Sequence, residues 1–267
     1  MVFDVQGNRI DDGAGSINYD LTTKSVNHRG YSTVAPENTL PAYKLSKKMG
    51  FYYVECDVSF TSDNVPMLLH DATIDRTSNG SGTLANMTYE QVRQYDFGSW
   101  KSAEYTGTVI PTLVEFLTLC KNIMLHPYIE LKENGNYTQA QIEMIVDLVN
   151  QCGLRGKVTY ISFSDTYLGY VKTYDVDARL GLLISNPSGS TITTCQNLRT
   201  GTNEVYMGAK YTNLTNAICN TAASAKVPIE VWTVNSESAI LSLNTYVTGI
   251  TSDSIIAGKL LFETNII

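Results

Sequence analysis

The chain alternates short apolar runs with longer stretches whose apolar residues recur at helical spacing. The short runs stand at 25–28, 52–58, 66–70, 128–131, 158–162, 179–183, 204–207, 229–234 and 249–251, and each reads as a strand. Residues 39–49 read as a helix, with Asn38 or Thr39 as cap, Pro41 in the first turn and Gly50 past the end. Residues 138–152 carry Ile142, Ile145, Val146 and Val149 on one helical face and close at Gly153. Further helices are predicted at 88–95, 112–120, 166–173, 214–225 and 236–244, and they separate most of the later strands. Strand–helix alternation after Pro111 predicts an α/β fold with a parallel sheet, and 267 residues suit one barrel. Nine strand candidates compete for eight places, so one does not belong in the barrel. The link 61–64 is too short for a crossover helix, which predicts a TIM-type (β/α)8 barrel that is irregular there. Residues 71–112 form a long polar stretch, read as a small insertion after the third strand that stands over one end of the barrel. Residues 1–25 are punctuated by Gly, Asp and Asn and read as an N-terminal extension or linker, a joint to a larger assembly.

Composition narrows the partners. A hydrophobic content of 43% excludes a disordered chain, and a net charge of -7 argues against nucleic acid. No apolar run approaches the ~20 residues needed to span a bilayer, and 1–25 has no signal-peptide pattern. Five cysteines without a CxxC pair predict neither a zinc site nor a disulfide framework. A vocabulary rich in Thr, Ser, Asn and Tyr, with 17% charged residues, favours an extracellular or virion-surface protein over a cytoplasmic one.

The chemistry gathers around the strand at 52–58. Val54, Cys56 and Val58 share one face, and Glu55 and Asp57 share the other. Two carboxylates on an inward face are costly unless a positive group stands between them. Glu130 brings a third from the strand at 128–131. Such an oxygen set suits a hard divalent metal, Mg²⁺ or Ca²⁺, better than zinc. Two of the three histidines, His28 and His70, end apolar strands and could act as an acid–base pair. His126 begins a strand at the opposite end and reads as structural. Arg29 and Lys132 lie beside the acids, as ion-pair partners, phosphate ligands or both. Together these parts suit a metal-bound anion with two proton shuttles, hence phosphoryl transfer.

The ordered segments His28-Arg29-Gly30, Pro36-Glu37-Asn38-Thr39, Glu55-Cys56-Asp57-Val58, Val65-Pro66-Met67-Leu68-Leu69-His70-Asp71, Arg76-Thr77-Ser78-Asn79-Gly80-Ser81-Gly82, Ile129-Glu130-Leu131-Lys132 and Val231-Trp232-Thr233-Val234-Asn235 resemble the glycerophosphodiester phosphodiesterase family over about 26–258. The resemblance implies a TIM-like barrel over 26–267 with an insertion at about 71–112. It also implies metal-dependent hydrolysis of glycerophosphodiesters to glycerol phosphate and an alcohol. By motif, His28 and His70 match the acid–base pair, and Glu55, Asp57 and Glu130 match the metal ligands. Arg29 and Lys132 match the phosphate contacts, Glu37 and the adjacent Asn38 match supporting residues, and Trp232 matches an aromatic wall of the substrate pocket. Two departures stand out: Asn64 replaces a usual turn glycine, and the late motif Gly249-Ile250-Thr251-Ser252-Asp253-Ser254-Ile255 lacks its proline. A related barrel phospholipase or sphingomyelinase D is disfavoured by the insertion after His70 and by the Pro-Glu-Asn-Thr motif. Small deacylated phospholipids are the default substrate. The alternatives are a depolymerase of glycerol-phosphate polymers such as teichoic acid, on a bacterial surface or phage tail, and a non-catalytic surface-binding module.

Overall fold

The computed structural model describes residues 23–132 and 136–255, together with the short strands β1 (Val2–Phe3) and β2 (Arg9–Ile10), which pair antiparallel. The rest of the expected extension over 1–25, and residues 256–267, lie outside the described residues.

Eight parallel strands close on themselves: β3 (Lys24–Asn27), β4 (Tyr53–Phe60), β6 (His126–Leu131), β7 (Thr159–Ser162), β8 (Arg179–Ile184), β9 (Val205–Lys210), β10 (Ile229–Trp232) and β11 (Val247–Ser252). The seal is made by β3 against β4, Val26 facing Tyr53 and Asn27 facing Val54. This is a TIM-type barrel. The surplus strand candidate is the one predicted at 66–70. It forms β5 (Pro66–Leu68), which runs antiparallel to the end of β4, with Phe60 opposite Pro66 and Val58 opposite Leu68. A five-residue link cannot make a parallel crossover but can turn straight back. Asn64 takes the left-handed conformation there, φ 63°, which asparagine tolerates better than most residues.

Period-two alternation sorts the strand residues into two layers. Val54, Cys56 and Val58 of β4 and Ile129 and Leu131 of β6 point outward into the main core, with Phe116, Leu117, Ile142 and Ile145 from the surrounding helices. Val26, Tyr128, Ile161, Leu183 and Tyr206 point inward and fill part of the barrel.

The covering helices are α1 (Leu40–Lys48), α3 (Leu113–Ile123), α4 (Gln139–Gln151), α5 (Asp165–Tyr174), α6 (Gly189–Leu198), α7 (Asn216–Ser224) and α8 (Glu237–Leu241), with the single-turn α2 (Tyr89–Val92) inside the insertion. From α2 onward each begins at a Ser or Thr whose hydroxyl accepts a backbone N–H of the first turn: Thr88, Thr112, Thr138, Ser164, Ser188, Thr215 and Ser236. Helix α6 has no counterpart in the sequence reading. Its Thr-rich run has poor helix propensity, and burial of Thr191, Ile192, Cys195 and Leu198 along one face overrides it. The helix predicted at 88–95 shortens to α2. The insertion has its own small core of Met67, Leu69, Ile74, Leu84, Val92, Phe97 and Ile110.

The turn after β3 rests on close approach to α1. Gly30 has φ 78°, and a Cβ added there would lie 2.7 Å from Ala42 Cβ and 2.9 Å from the Ala42 carbonyl carbon. Gly30→Ala is therefore expected to destabilise the fold by roughly 1–3 kcal/mol, seen as a lower denaturant midpoint at unchanged slope. An unchanged midpoint would contradict this packing.

Candidate active site

Three local features bring the predicted residues together. After β3 the chain turns through left-handed Arg29 (φ 56°) and Gly30, which leaves His28 at the barrel mouth and aims the Arg29 N–H at Glu55 Oε2, 2.9 Å away. The register of β4 on β6 sets Asp57 beside Glu130, so one oxygen each of Glu55, Asp57 and Glu130 lies within 4.8 Å of the others. The antiparallel return of β5 places Leu69 N–H on Asp57 O at 3.0 Å, which brings His70 level with the acids.

Asp57 is the anchor. Its Oδ2 lies 3.2 Å from Arg29 Nε, and its Oδ1 lies 3.3 Å from Lys132 Nζ. Asn38 Nδ2 donates to Oδ2 at 2.8 Å, and Asn38 Oδ1 accepts the Asp57 N–H at 3.2 Å and the Tyr43 hydroxyl at 3.0 Å. Burial opposes ionisation of Asp57, but Arg29 and Lys132 more than offset it and hold the carboxyl far below its usual range. Glu55 and Glu130 go the other way. Burial first, then the negative charge of Asp57, pushes them up to about 8 and about 7. Glu55 Oε1 and Glu130 Oε1 are buried without a hydrogen-bond partner among the described residues; Lys132 Nζ is 3.1 Å from Glu130 Oε1 as an ion pair without hydrogen-bond alignment. Orphaned, charge-averse carboxylate oxygens grouped around an ionised third fit a divalent cation, which needs such donors and would relieve their repulsion.

Both strand-end histidines are fixed through Nδ1. His28 Nδ1 is 2.5 Å from Asp253 Oδ1, and Asp253 Oδ2 accepts from Asn235 Nδ2 at 2.5 Å. His70 Nδ1 is 2.7 Å from Asp71 Oδ1. A carboxylate at Nδ1 sets the tautomer and leaves Nε2 for proton transfer. Burial works against a charged His28, but the Asp253 bond and nearby Glu55 outweigh it and raise its pKa; burial dominates at His70 and lowers it. Arg76, from the insertion, ties these parts together. Its Nε donates to Asp71 Oδ2 at 2.6 Å, and its two terminal nitrogens fork onto Glu37 at 2.8 Å each. Glu37 in turn accepts from Arg29 at 2.9 Å.

His28, Arg29, Glu55, His70, Glu130, Lys132 and Trp232 line one cavity of about 210 Å³, with Asp57 held behind them. Trp232 meets Phe163 edge to face at 5.4 Å, and its indole N–H donates to Gly208 O at 2.8 Å. Glu37 and Asn38 stand one step back, touching Arg29 and Asp57. Asn38 does not cap α1: its side chain is spent on Asp57, and the Thr39 hydroxyl donates to Pro36 O. His126 is far from this group, stacked on Tyr52 at 4.4 Å. Sequence reasoning assigned no role to Asp71, Arg76, Asn235 or Asp253. The position of Asp71 next to His70 was a usable signal; the others depend on contacts across the fold.

The profile of the Glycerophosphoryl diester phosphodiesterase family matches residues 28–257. Glycerophosphodiester phosphodiesterase 1 of Mus musculus is 41% identical over 123 residues, which are 45% of this chain and 37% of that protein. The chain thus spans little more than a third of that relative's length. A glycerophosphodiester phosphodiesterase of Caldanaerobacter subterraneus subsp. tengcongensis is 31% identical over 163 residues, 61% of this chain and 67% of that one. The crystal structure of a glycerophosphodiester phosphodiesterase from Agrobacterium tumefaciens str. C58 superposes with a TM-score of 0.74 at 25% identity, covering 88% of this chain and 97% of that one.

Cation binding to the triad has a thermal signature. At a hundred times its dissociation constant, Mg²⁺ or Ca²⁺ is expected to stabilise by about 2.7 kcal/mol, a Tm rise of roughly 5–10 °C for a chain of this size. The rise should grow from pH 5 to 8, because Glu55 and Glu130 must shed protons to ligate. Glu130→Gln should abolish the rise without lowering the Tm of EDTA-treated protein. A wild-type Tm indifferent to both cations would argue against the triad as a cation site.

Proposed function

Because the chain belongs to the glycerophosphoryl diester phosphodiesterase family, we propose that it hydrolyses glycerophosphodiesters to glycerol phosphate and an alcohol, with His28 and His70 exchanging the protons. The observation that carries this reading is the pairing of two imidazoles in one cavity with the acidic triad, each fixed at Nδ1 by its own carboxylate. That arrangement suits general acid–base work.

Arg29 and Lys132 bind the phosphate oxygens, their positions held by Glu37 and Glu130. One imidazole takes the proton from an attacking hydroxyl, of water or of the substrate's glycerol, as its oxygen bonds to phosphorus. The other protonates the alcohol oxygen as the second P–O bond breaks, so the net proton passes from nucleophile to leaving group. A divalent cation held by Glu55, Asp57 and Glu130, Mg²⁺ or Ca²⁺ by ligand chemistry, would supply neutralisation of the phosphoryl charge. Phe163 and Trp232, in edge-to-face contact, form an aromatic part of the cavity wall. The cavity's modest volume favours a small diester over a polymer.

Product analysis tests this. Glycerophosphocholine and polyglycerol-phosphate teichoic acid are incubated with cation-loaded protein, each beside an EDTA control. EDTA-sensitive release of glycerol phosphate from the small diester is expected. Release from the polymer alone would reverse the substrate assignment, and silence on both would remove the hydrolase reading. His28→Ala and His70→Ala should each lose at least ~10² in kcat; near-normal turnover in either would exclude that residue. Arg76→Met, which cuts the contacts to Asp71 and Glu37 together, should cost about 10–100-fold.

A further inference from the structure

The cavity that holds the phosphate site also reaches Glu230 and Tyr206. Glu230 precedes Trp232 by two residues on β10, so it faces inward one layer nearer the N-terminal end of the barrel, opposite Gly208 of β9 and Gly249 of β11. Both residues are 4% exposed. Buried polar groups are normally paired, yet part of this set is open. Glu230 Oε1 takes both available bonds, from Lys24 Nζ at 3.0 Å and from the Tyr128 hydroxyl at 3.3 Å. Glu230 Oε2 and the Tyr206 hydroxyl make no hydrogen bond among the described residues and are not sealed off, so both are open to the cavity they line.

The barrel gives up side-chain volume to seat them. A Cβ on Gly181 would lie 2.4 Å from the Tyr206 hydroxyl, and one on Gly249 would lie 2.7 Å from Glu230 Cδ. Ile161 and Leu183 line the same cavity.

Charge decides what this floor can bind. Lys24 bridges Glu230 and Glu204, and Arg179 Nε lies 3.4 Å from Glu204, so two cations face two carboxylates. The floor is therefore a set of acceptor lone pairs and one hydroxyl rather than an anionic trap. Neutral hydroxyl donors match it. An ammonium group gains little from a carboxylate already neutralised, and an alkyl chain would displace water from both groups without replacing its hydrogen bonds.

Building on the hydrolase reading above, we propose that Glu230 and Tyr206 form a hydroxyl-recognition subsite for the glycerol arm of the diester. This pair makes the chain selective for a polyol, while Arg29 and Lys132 provide only the phosphate contacts.

The test compares glycerophosphocholine with propylphosphocholine, which keeps the phosphate and choline but lacks both glycerol hydroxyls. The wild-type kcat/KM ratio should favour the glycerol compound by about 10–100-fold. Tyr206→Phe, which removes one oxygen, and Glu230→Leu should each cut that ratio about tenfold while leaving the propyl rate within about threefold. Should Glu230→Leu fail to fold, Tyr206→Phe decides alone. An unchanged ratio, or an equal fall on both substrates, would overturn the subsite. Calorimetric titration with glycerol phosphate and propyl phosphate separates this from the hydrolase reading. If the wild type cleaves only the glycerol compound, because its hydroxyl is the nucleophile, the titration alone rules on the floor; if it cleaves neither diester, the hydrolase reading falls and the titration still rules on the floor. A tenfold preference for glycerol phosphate that Tyr206→Phe removes supports it, and equal affinities overturn it.

Discussion

Three carboxylates held side by side inside a barrel are the constraint to which the rest of this structure answers. Burial and mutual repulsion both oppose their charge. Arg29 and Lys132 favour the ionised form of Asp57 against its burial, and Asn38 donates to the same carboxylate. Glu55 and Glu130 have less support, and each keeps one oxygen without a hydrogen-bond partner among the described residues, that of Glu130 facing Lys132 only as an ion pair. The left-handed turn at Arg29 and the unusual conformation of Asn38 (φ 55°) make sense as devices for bringing an N–H and an amide to these acids. A substrate phosphate and a cation would complete a charge balance that the protein alone leaves unfinished.

The supporting network is built from parts distant in the chain. His28 is steadied by Asp253, 225 residues away, and Glu37 by Arg76, 39 residues away. A parallel barrel makes such contacts natural, because every strand ends at the same mouth whatever its place in the sequence. The missing proline of the late motif does not prevent Asp253 from reaching His28.

What was legible from sequence follows the same logic. Glu55 and Asp57 could be placed inward because alternation has a period of two and the flanking residues are apolar. Glu130 and Lys132 followed by the same rule. The direction of β5 was not legible, since an apolar run does not say which way its strand runs; only the short link hinted that a parallel arrangement was strained. Helix α6 was hidden by threonines whose local preference is overruled by packing. Arg76 opens the polar segment 76–82, but its role exists only once the folded insertion brings it to Glu37 and Asp71. Glu230 read as an ordinary strand residue, because nothing along the chain reveals that Gly208 and Gly249 lie beside it.

The antiparallel return of β5 has a consequence of its own. His28 is rooted in the closed barrel, but His70 follows a strand that buries Leu68 in the barrel's core and Met67 in the insertion's. The two candidate imidazoles therefore rest on different packing, one on the barrel alone and the other on the barrel and the insertion together. A local opening that frees the insertion would withdraw one imidazole while the eight-stranded body remains intact. If the two histidines act together, such an opening would separate loss of activity on warming from loss of the fold.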